Sequence, residues 1–345
     1  MSLRPIAYVM EQTLGSVTHY LNLRREESSA HGGQRWLPIE WRAGKLPWTL
    51  TASWAARRAV QQVLPEIDGV FMHTTTLALL CADCFKRKPT ILSTDATPFN
   101  KRMMRADYGL KPEGQAAELA KRALYRRVFS GAAGFVAWSN WAKASFIEDY
   151  GCRPEDVAVI PPGIDLERFS RGDRANELPR LLFVGGDFAR KGGDLLLDVF
   201  KRRLRGRAEL DIVTRDPVPP EPGVRVHHNV RANSDELIGL YRSSDVFVLP
   251  TRADCYSLVC MEALAASLPI VATNVGGIPD VIDEGKTGYL IDPDDADTLG
   301  DRLEALVTNR ALRHELGDRG REDAVQRFGA RDNAHKLFEF VRSRC

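Results

Sequence analysis

Two cations stand in a glycine-rich turn: "GGDFARKGG", residues 185 to 193, places Arg190 and Lys191 between an apolar run and an amphipathic one. Gly185 and Gly186 end the first run, and Gly192 and Gly193 open the second. Backbone N–H groups at the head of a helix, with Lys191 beside them, suit a phosphate group. The spacing is neither that of a P-loop nor the G-x-G-x-x-G dinucleotide fingerprint. From these residues alone the stretch reads equally well as a phosphate seat or as a plain glycine turn whose Arg and Lys are solvated. A second stretch, "LPTRADCYSLVCMEALAASLP", carries Asp254 in a loop and Glu262 in the helix after it, with seven residues between them. Two carboxylates near one helix start suit the neighbouring hydroxyls of a sugar or ribose. The alternative, left open by the residues, is that Asp254 starts the helix and Glu262 is exposed.

Such residues need a frame that brings loop ends together. Strand-like runs ("PIAYVM", "GVFMH", "PTILST", "GFVAWS", then "RLLFVG", "ELDIVT", "VRVHH", "DVFVLP", "PIVAT") alternate with helix-period segments, the pattern of parallel sheets with helical crossovers. Functional residues then belong just after strands. A chain of 345 residues suits two domains, and "VAVIPPGIDLERFSRGDRANELPR" is the linker expected between them. Residues 1–162 and 163–328 are the expected domains, with 329–345 a closing helix that packs back on the first. Hydrophobic residues make up 44% and charged ones 27%, as in globular proteins. A net charge of +2, from 48 basic and 46 acidic side chains, gives no reason to expect nucleic acid. No run suggests a membrane span or a secretion signal, so a cytoplasmic location is expected. The lone Cys81-x-x-Cys84 has no second pair to complete a zinc set and is expected to be structural.

The motifs "VIPPGID", "FVGGDFARKGGDLLLDVF", "LPTRADCYSLVCMEALAASLPIVATNVGGIPDVI" and "GKTGYLIDPDD" together resemble, in order and spacing, the retaining family 4 glycosyltransferases (glycosyl transferases group 1). The likeness covers residues 130 to 330. The first half is similar more loosely, through "TLGSVTHYLNL", His73 and "STDATP". The resemblance implies the GT-B fold, an α/β architecture of two Rossmann-like domains facing across a cleft. It implies transfer of a sugar from a nucleotide-diphospho-sugar, a UDP- or GDP-sugar, to an unidentified acceptor with retention of configuration, without cofactor or metal.

Carried over residue by residue, Lys191 holds the donor diphosphate, Glu262 the ribose hydroxyls, and Asp254, where the family has Glu, faces the sugar. Tyr256, Ser257 and Leu258 act through backbone N–H groups, and Gly15 with Ser16 approaches the phosphates from the first domain. Gly185 ends the strand; Gly186 stands where the family has an Arg, and Arg190 is the expected replacement for its charge. Asp95 takes the place of a family His and either serves the acceptor hydroxyl or caps a turn; His73 is the other first-domain candidate, or simply ends a strand. Base recognition is expected from backbone groups around His228 to Arg231. The departures at Gly186, Asp254 and Asp95 keep two alternatives open, a catalytically impaired sugar-nucleotide-binding subunit and a phosphorylase-like enzyme. Residues 101–127 carry an excess of basic side chains on a predicted helix, either a solvated face or a peripheral contact with an anionic membrane at its inner face.

Overall fold

In a computed structural model, residues 4–27, 33–40, 45–109, 111, 114–174 and 176–345 are described. The chain divides into two α/β units. The first comprises residues 1–106, 110–163 and 330–345, the second 107–109 and 164–329. In the first unit the order is β1 (Ile6–Gln12), α1 (Leu14–Arg25), β2 (Gln34–Glu40), α2 (Trp48–Val63), β3 (Gly69–His73), α3 (Ala82–Phe85), β4 (Thr90–Thr94), α4 (Pro98–Met103), α5 (Gln115–Phe129), β5 (Gly134–Ala137), α6 (Asn140–Glu148) and β6 (Val157–Val159). The second has β7 (Arg180–Val184), α7 (Gly193–Val199), β8 (Glu209–Val213), β9 (Val224–His227), α8 (Asp235–Ser243), β10 (Val246–Leu249), α9 (Leu258–Ala265), β11 (Ile270–Thr273), β12 (Gly288–Ile291), α10 (Ala296–Thr308) and α11 (Arg310–Arg327). Helix α12 (Ala330–Ser343) returns to the first unit.

Each unit holds one six-stranded sheet, ordered β2-β1-β3-β4-β5-β6 and β12-β11-β10-β7-β8-β9, with its strands parallel. Parallel strands covered on both faces read as near-continuous apolar runs, which is why the central ones stand out in the sequence. Two edge strands do not: "QRWLPIE" (β2) carries a proline, tolerated at an edge, and "GYLI" (β12) is short. The order reverses between β1 and β3 in the first sheet and between β7 and β10 in the second. Outside the carboxyl ends of strands at such a switch point two loops part and leave room for a ligand.

Alternation along the strands sorts the core of the first unit. Ala7, Val9, Val70, Met72 and Leu92 point to the side covered by α2, α5 and α6. Ile6, Tyr8, Met10, Phe71, Ile91 and Val136 point to the other, where α1 and Ala334, Leu337, Phe338 and Val341 of α12 meet them. Helix α12 is thus a core element, its Phe338 ring edge-on to Tyr8 with centroids 5.6 Å apart. Cys81 and Cys84 are buried free thiols, and Cys81 donates to the carbonyl of Leu77 at 3.2 Å. Among the described residues no helix is long and apolar enough to cross a membrane. Phe338→Ala is expected to lower stability by about 3 kcal/mol or more through the cavity it leaves; a urea midpoint equal to that of the wild type would show α12 to be dispensable.

Candidate functional site

The glycine-rich turn lies at the switch point of the second sheet. Val184 pairs with Val213 of β8, and the next N–H, that of Gly185, donates to the Val213 carbonyl at 2.9 Å. Asp187 folds the turn by accepting from the Arg190 N–H and from Arg190 Nε, both at 3.1 Å. Asp216, after β8, braces it from the side by accepting the Phe188 N–H at 2.7 Å. Gly192 then takes φ +75°, and a Cβ there would lie 1.9 Å from the carbonyl oxygen of Pro250, so only glycine fits.

That close approach joins the turn to the loop after β10. The Arg252 N–H donates to the Arg190 carbonyl at 2.9 Å, and Arg190 Nη1 to the Ala253 carbonyl at 2.8 Å. Its guanidinium is therefore committed to the two loops it ties together. Lys191 lands beside the first acid, its Nζ donating to Asp254 Oδ2 at 2.6 Å, with 15% and 11% of the two side chains exposed. Ser257, not Asp254, caps α9, its Oγ accepting the Cys260 N–H at 3.4 Å. Tyr256 is buried, which pushes its hydroxyl pKa up, and Leu258 opens the helix.

Glu262 is not an exposed helical acid. Only 3% of it is accessible, and its Oε2 has no hydrogen-bond partner. Burial pushes its carboxyl up to about 7, a rise that Tyr241 opposes. Cys260, raised to about 12 by burial, lies within electrostatic reach of Asp254, Lys191 and Glu262 together. The second unit thus gathers Gly185, Gly186, Arg190, Lys191, Asp254, Tyr256, Ser257, Leu258 and Glu262 around one pair of strand ends. His228 to Arg231 form the loop after β9 at the same end of the sheet, held where His228 Nδ1 meets the Thr214 carbonyl at 3.1 Å.

The remaining candidates belong to the first unit. Gly15 lies exposed in the first turn of α1. His73 ends β3, fully buried, stacked on Trp138 at 4.8 Å, 3.4 Å from Ser16 Oγ and 3.2 Å from Ser93 Oγ. Burial, and secondarily Lys101, pushes its pKa down to about 3, so its imidazole is neutral. Asp95 is half-buried and 3.5 Å from Lys101 Nζ. Its Oδ1 accepts from Thr94 Oγ1 at 3.2 Å, within the same turn, while the capping box of α4 is formed by Thr97 and Asn100. Glu11, unremarked in the sequence, is the buried acid of this switch point, accepting from Thr13 (2.9 Å), Trp48 (3.0 Å) and Thr74 (2.5 Å). An acid closing the apolar run "IAYVM" was the signal for it.

Two family models match, "Glycosyl transferases group 1" over residues 178–309 and "Glycosyltransferase Family 4" over residues 17–168. The chain belongs to the family 4 glycosyltransferases. It is 31% identical over 246 residues, 64% of its length, to the D-inositol 3-phosphate glycosyltransferase of Arthrobacter sp. (strain FB24). It spans about half the length of the curated relatives it matches, 56% in that case. Among solved structures, sucrose-phosphate synthase of Thermosynechococcus elongatus superimposes with TM-score 0.78 at 16% identity, covering 99% of this chain and 98% of that one. Anabaena Alr3699/HepE in complex with UDP-glucose does so with TM-score 0.76 at 15% identity, covering 99% and 100%. At such identities the likeness speaks for the fold, which is GT-B.

In this family 4 glycosyltransferase the buried Glu262 has a consequence for stability. Its carboxyl ordinarily titrates near 4.5 and here at about 7, so the folded chain holds the proton more tightly than the unfolded one. That contribution is full below about pH 4.5 and lost as pH rises through 7. Glu262→Gln, neutral throughout, is expected to match the wild type near pH 4.5 and to exceed it at pH 8 by up to roughly 3 kcal/mol. Melting curves of the two proteins that run parallel from pH 4.5 to 8 would refute the assignment.

Proposed function

We propose that this chain transfers a sugar from a nucleotide-diphospho-sugar to an acceptor hydroxyl with retention of configuration. The observation that carries the reading is Glu262: a buried carboxylate whose Oε2 has no hydrogen-bond partner among the described residues, in the helix that follows the Lys191–Asp254 pair, is suited to accept a hydrogen bond from a ribose hydroxyl. HepE, similar in fold, is known with UDP and with UDP-glucose, which supports a nucleotide sugar as donor here, a UDP-sugar first and a GDP-sugar as the other candidate of the proposal.

In this reading Lys191 and the N–H groups of Ser257 and Leu258 at the start of α9 meet the negative charge that builds on the departing diphosphate, a role that needs no metal. Asp254, held by Lys191, faces the sugar. No pair of carboxylates placed as nucleophile and acid can be read from the sequence, which favours departure and attack on one face of the sugar. On the acceptor side, Asp95 orients the incoming hydroxyl or takes its proton, and Gly15 approaches the phosphates. The proposal places this chain in the cytoplasm.

Lys191→Ala is expected to lower kcat/KM for the preferred donor by about 10²-fold or more. The measurement is nucleoside diphosphate release from a panel of UDP-, GDP- and ADP-sugars, with and without acceptor, in buffer containing EDTA. Binding without release from any donor would favour a sugar-nucleotide-binding subunit instead, and release that requires inorganic phosphate would favour a phosphorylase.

Peripheral contact with an anionic membrane through residues 101–127 is a second element of the proposal. Several of its cations are spent internally, Arg122 on Asp149 at 2.8 Å and Arg102 on Glu118. Leu119 and Leu124 of α5, 65% and 46% exposed, share that helix with the exposed Arg126 and Arg127, a combination suited to a lipid headgroup region. The protein is expected to co-sediment with phosphatidylglycerol vesicles and not with phosphatidylcholine vesicles, and Leu119→Ser with Arg127→Glu to abolish this. Sedimentation indifferent to anionic lipid would leave α5 a solvated face.

A further inference from the structure

The diphosphate seat proposed above has one visible gap, the glycine at 186. The geometry points to Arg215 as the side chain that fills it: its guanidinium reaches the place from the neighbouring strand and supplies the second cation for the donor diphosphate.

Strand register brings the two residues together. Val184 pairs with Val213, so two residues further on, past the ends of β7 and β8, Gly186 and Arg215 lie abreast. A Cβ built on Gly186 would lie 3.0 Å from Arg215 Nε, 3.1 Å from Nη2 and 3.4 Å from Cζ. The guanidinium therefore occupies the space that a side chain at 186 would enter, and Nε is 3.4 Å from the Gly186 carbonyl. The three atoms nearest to that Cβ all belong to Arg215, so a side chain at 186 would have to displace the guanidinium from its present place.

The charge of Arg215 is also uncommitted in a way that of Arg190 is not. Arg190 is bound to Asp187 and to the Ala253 carbonyl, with 14% of its side chain exposed. Arg215 is exposed, and among the described residues no carboxylate forms an ion pair with it. The adjacent acid, Asp216, is turned toward the Phe188 N–H instead. A planar guanidinium beside a glycine turn, at the strand ends where Lys191 also emerges, matches the paired oxygens of a phosphate and binds them through two parallel N–H groups. The sequence "DIVTRDP" hides this because Arg215 lies 24 residues beyond Lys191 and meets it only through strand pairing.

This inference rests on the donor-binding reading of the second unit, and the test separates the two. Affinities of the wild type and of Arg215→Ala for uridine, UMP and UDP, and for the guanosine series, are measured by titration calorimetry. The wild type is expected to bind one diphosphate more tightly than its monophosphate, and Arg215→Ala to lose about tenfold or more of the diphosphate affinity with nucleoside binding and melting temperature unchanged. Because the two positions share one space, Gly186→Arg combined with Arg215→Gly is expected to recover most of the loss. Diphosphate affinity of Arg215→Ala within twofold of the wild type overturns the role of Arg215. Loss in Arg215→Ala without recovery in a folded double variant overturns the exchange of positions. No binding of any nucleoside diphosphate by the wild type overturns the donor-site reading itself.

Discussion

The backbone contact between Gly192 and Pro250 is the constraint on which the second unit's site depends. No side chain can stand between them, since a Cβ at 192 would overlap the Pro250 oxygen. The loops after β7 and β10, separated in sequence by some sixty residues, are therefore pressed into one surface. Arg190 fastens them by donating to the Ala253 carbonyl, and Arg252 returns the bond to the Arg190 carbonyl. With the backbone so fixed, Lys191 has little choice but to meet Asp254. The ion pair is a product of loop packing at a topological switch point, and its position follows from the order β12-β11-β10-β7-β8-β9.

The polar groups gathered there are held against their own preferences. A buried carboxylate with an unpartnered oxygen costs about 1–3 kcal/mol in ordinary protein settings, and desolvation drives Glu262 toward its neutral form. Among the described residues no donor reaches Oε2, and the influence of Tyr241 relieves the cost only in part. A donor of hydrogen bonds arriving from outside would both satisfy the oxygen and favour the ionised carboxyl, so ligand affinity and apo stability are opposed at this residue. The same tension is milder at Lys191 and Asp254, which neutralise each other at 2.6 Å; the proposed diphosphate would have to compete with Asp254 for the lysine.

Much of this was legible from residue order. Central strands announced themselves as apolar runs because both faces of each sheet are covered, and the loops after two of them, β7 and β10, are where Lys191 meets Asp254. The edges were harder to read: β2 carries Pro38, and β12 opens on Gly288 with Tyr289 and Leu290 only half-buried, so neither has the unbroken apolar character of a buried strand. Glu262 was legible as an acid but its burial was not, although the surrounding "LVCMEALA" is apolar all round. A helix of that kind is buried on every side and takes its one acid with it. The pairing of Lys191 with Asp254 and the approach of Arg215 to Gly186 depend on which strands are neighbours, and no local pattern encodes that.

The two switch points show that residue type does not decide which acid serves a ligand. Glu11 and Glu262 are both buried glutamates near the carboxyl ends of central strands, 7% and 3% exposed. Glu11 accepts hydrogen bonds from Thr13, Trp48 and Thr74, and so ties β1, α2 and the end of β3 into one piece. Its capacity is spent on the scaffold. In Glu262 one oxygen is left without a donor while the fold supplies ample apolar contact around it. A carboxylate whose hydrogen bonds are already made can only position its neighbours, whereas one left short of a donor is specific for whatever brings it. By that criterion the first unit's glutamate is structural, and the second unit's keeps the unused hydrogen-bonding capacity that the proposed contact with a ribose hydroxyl requires.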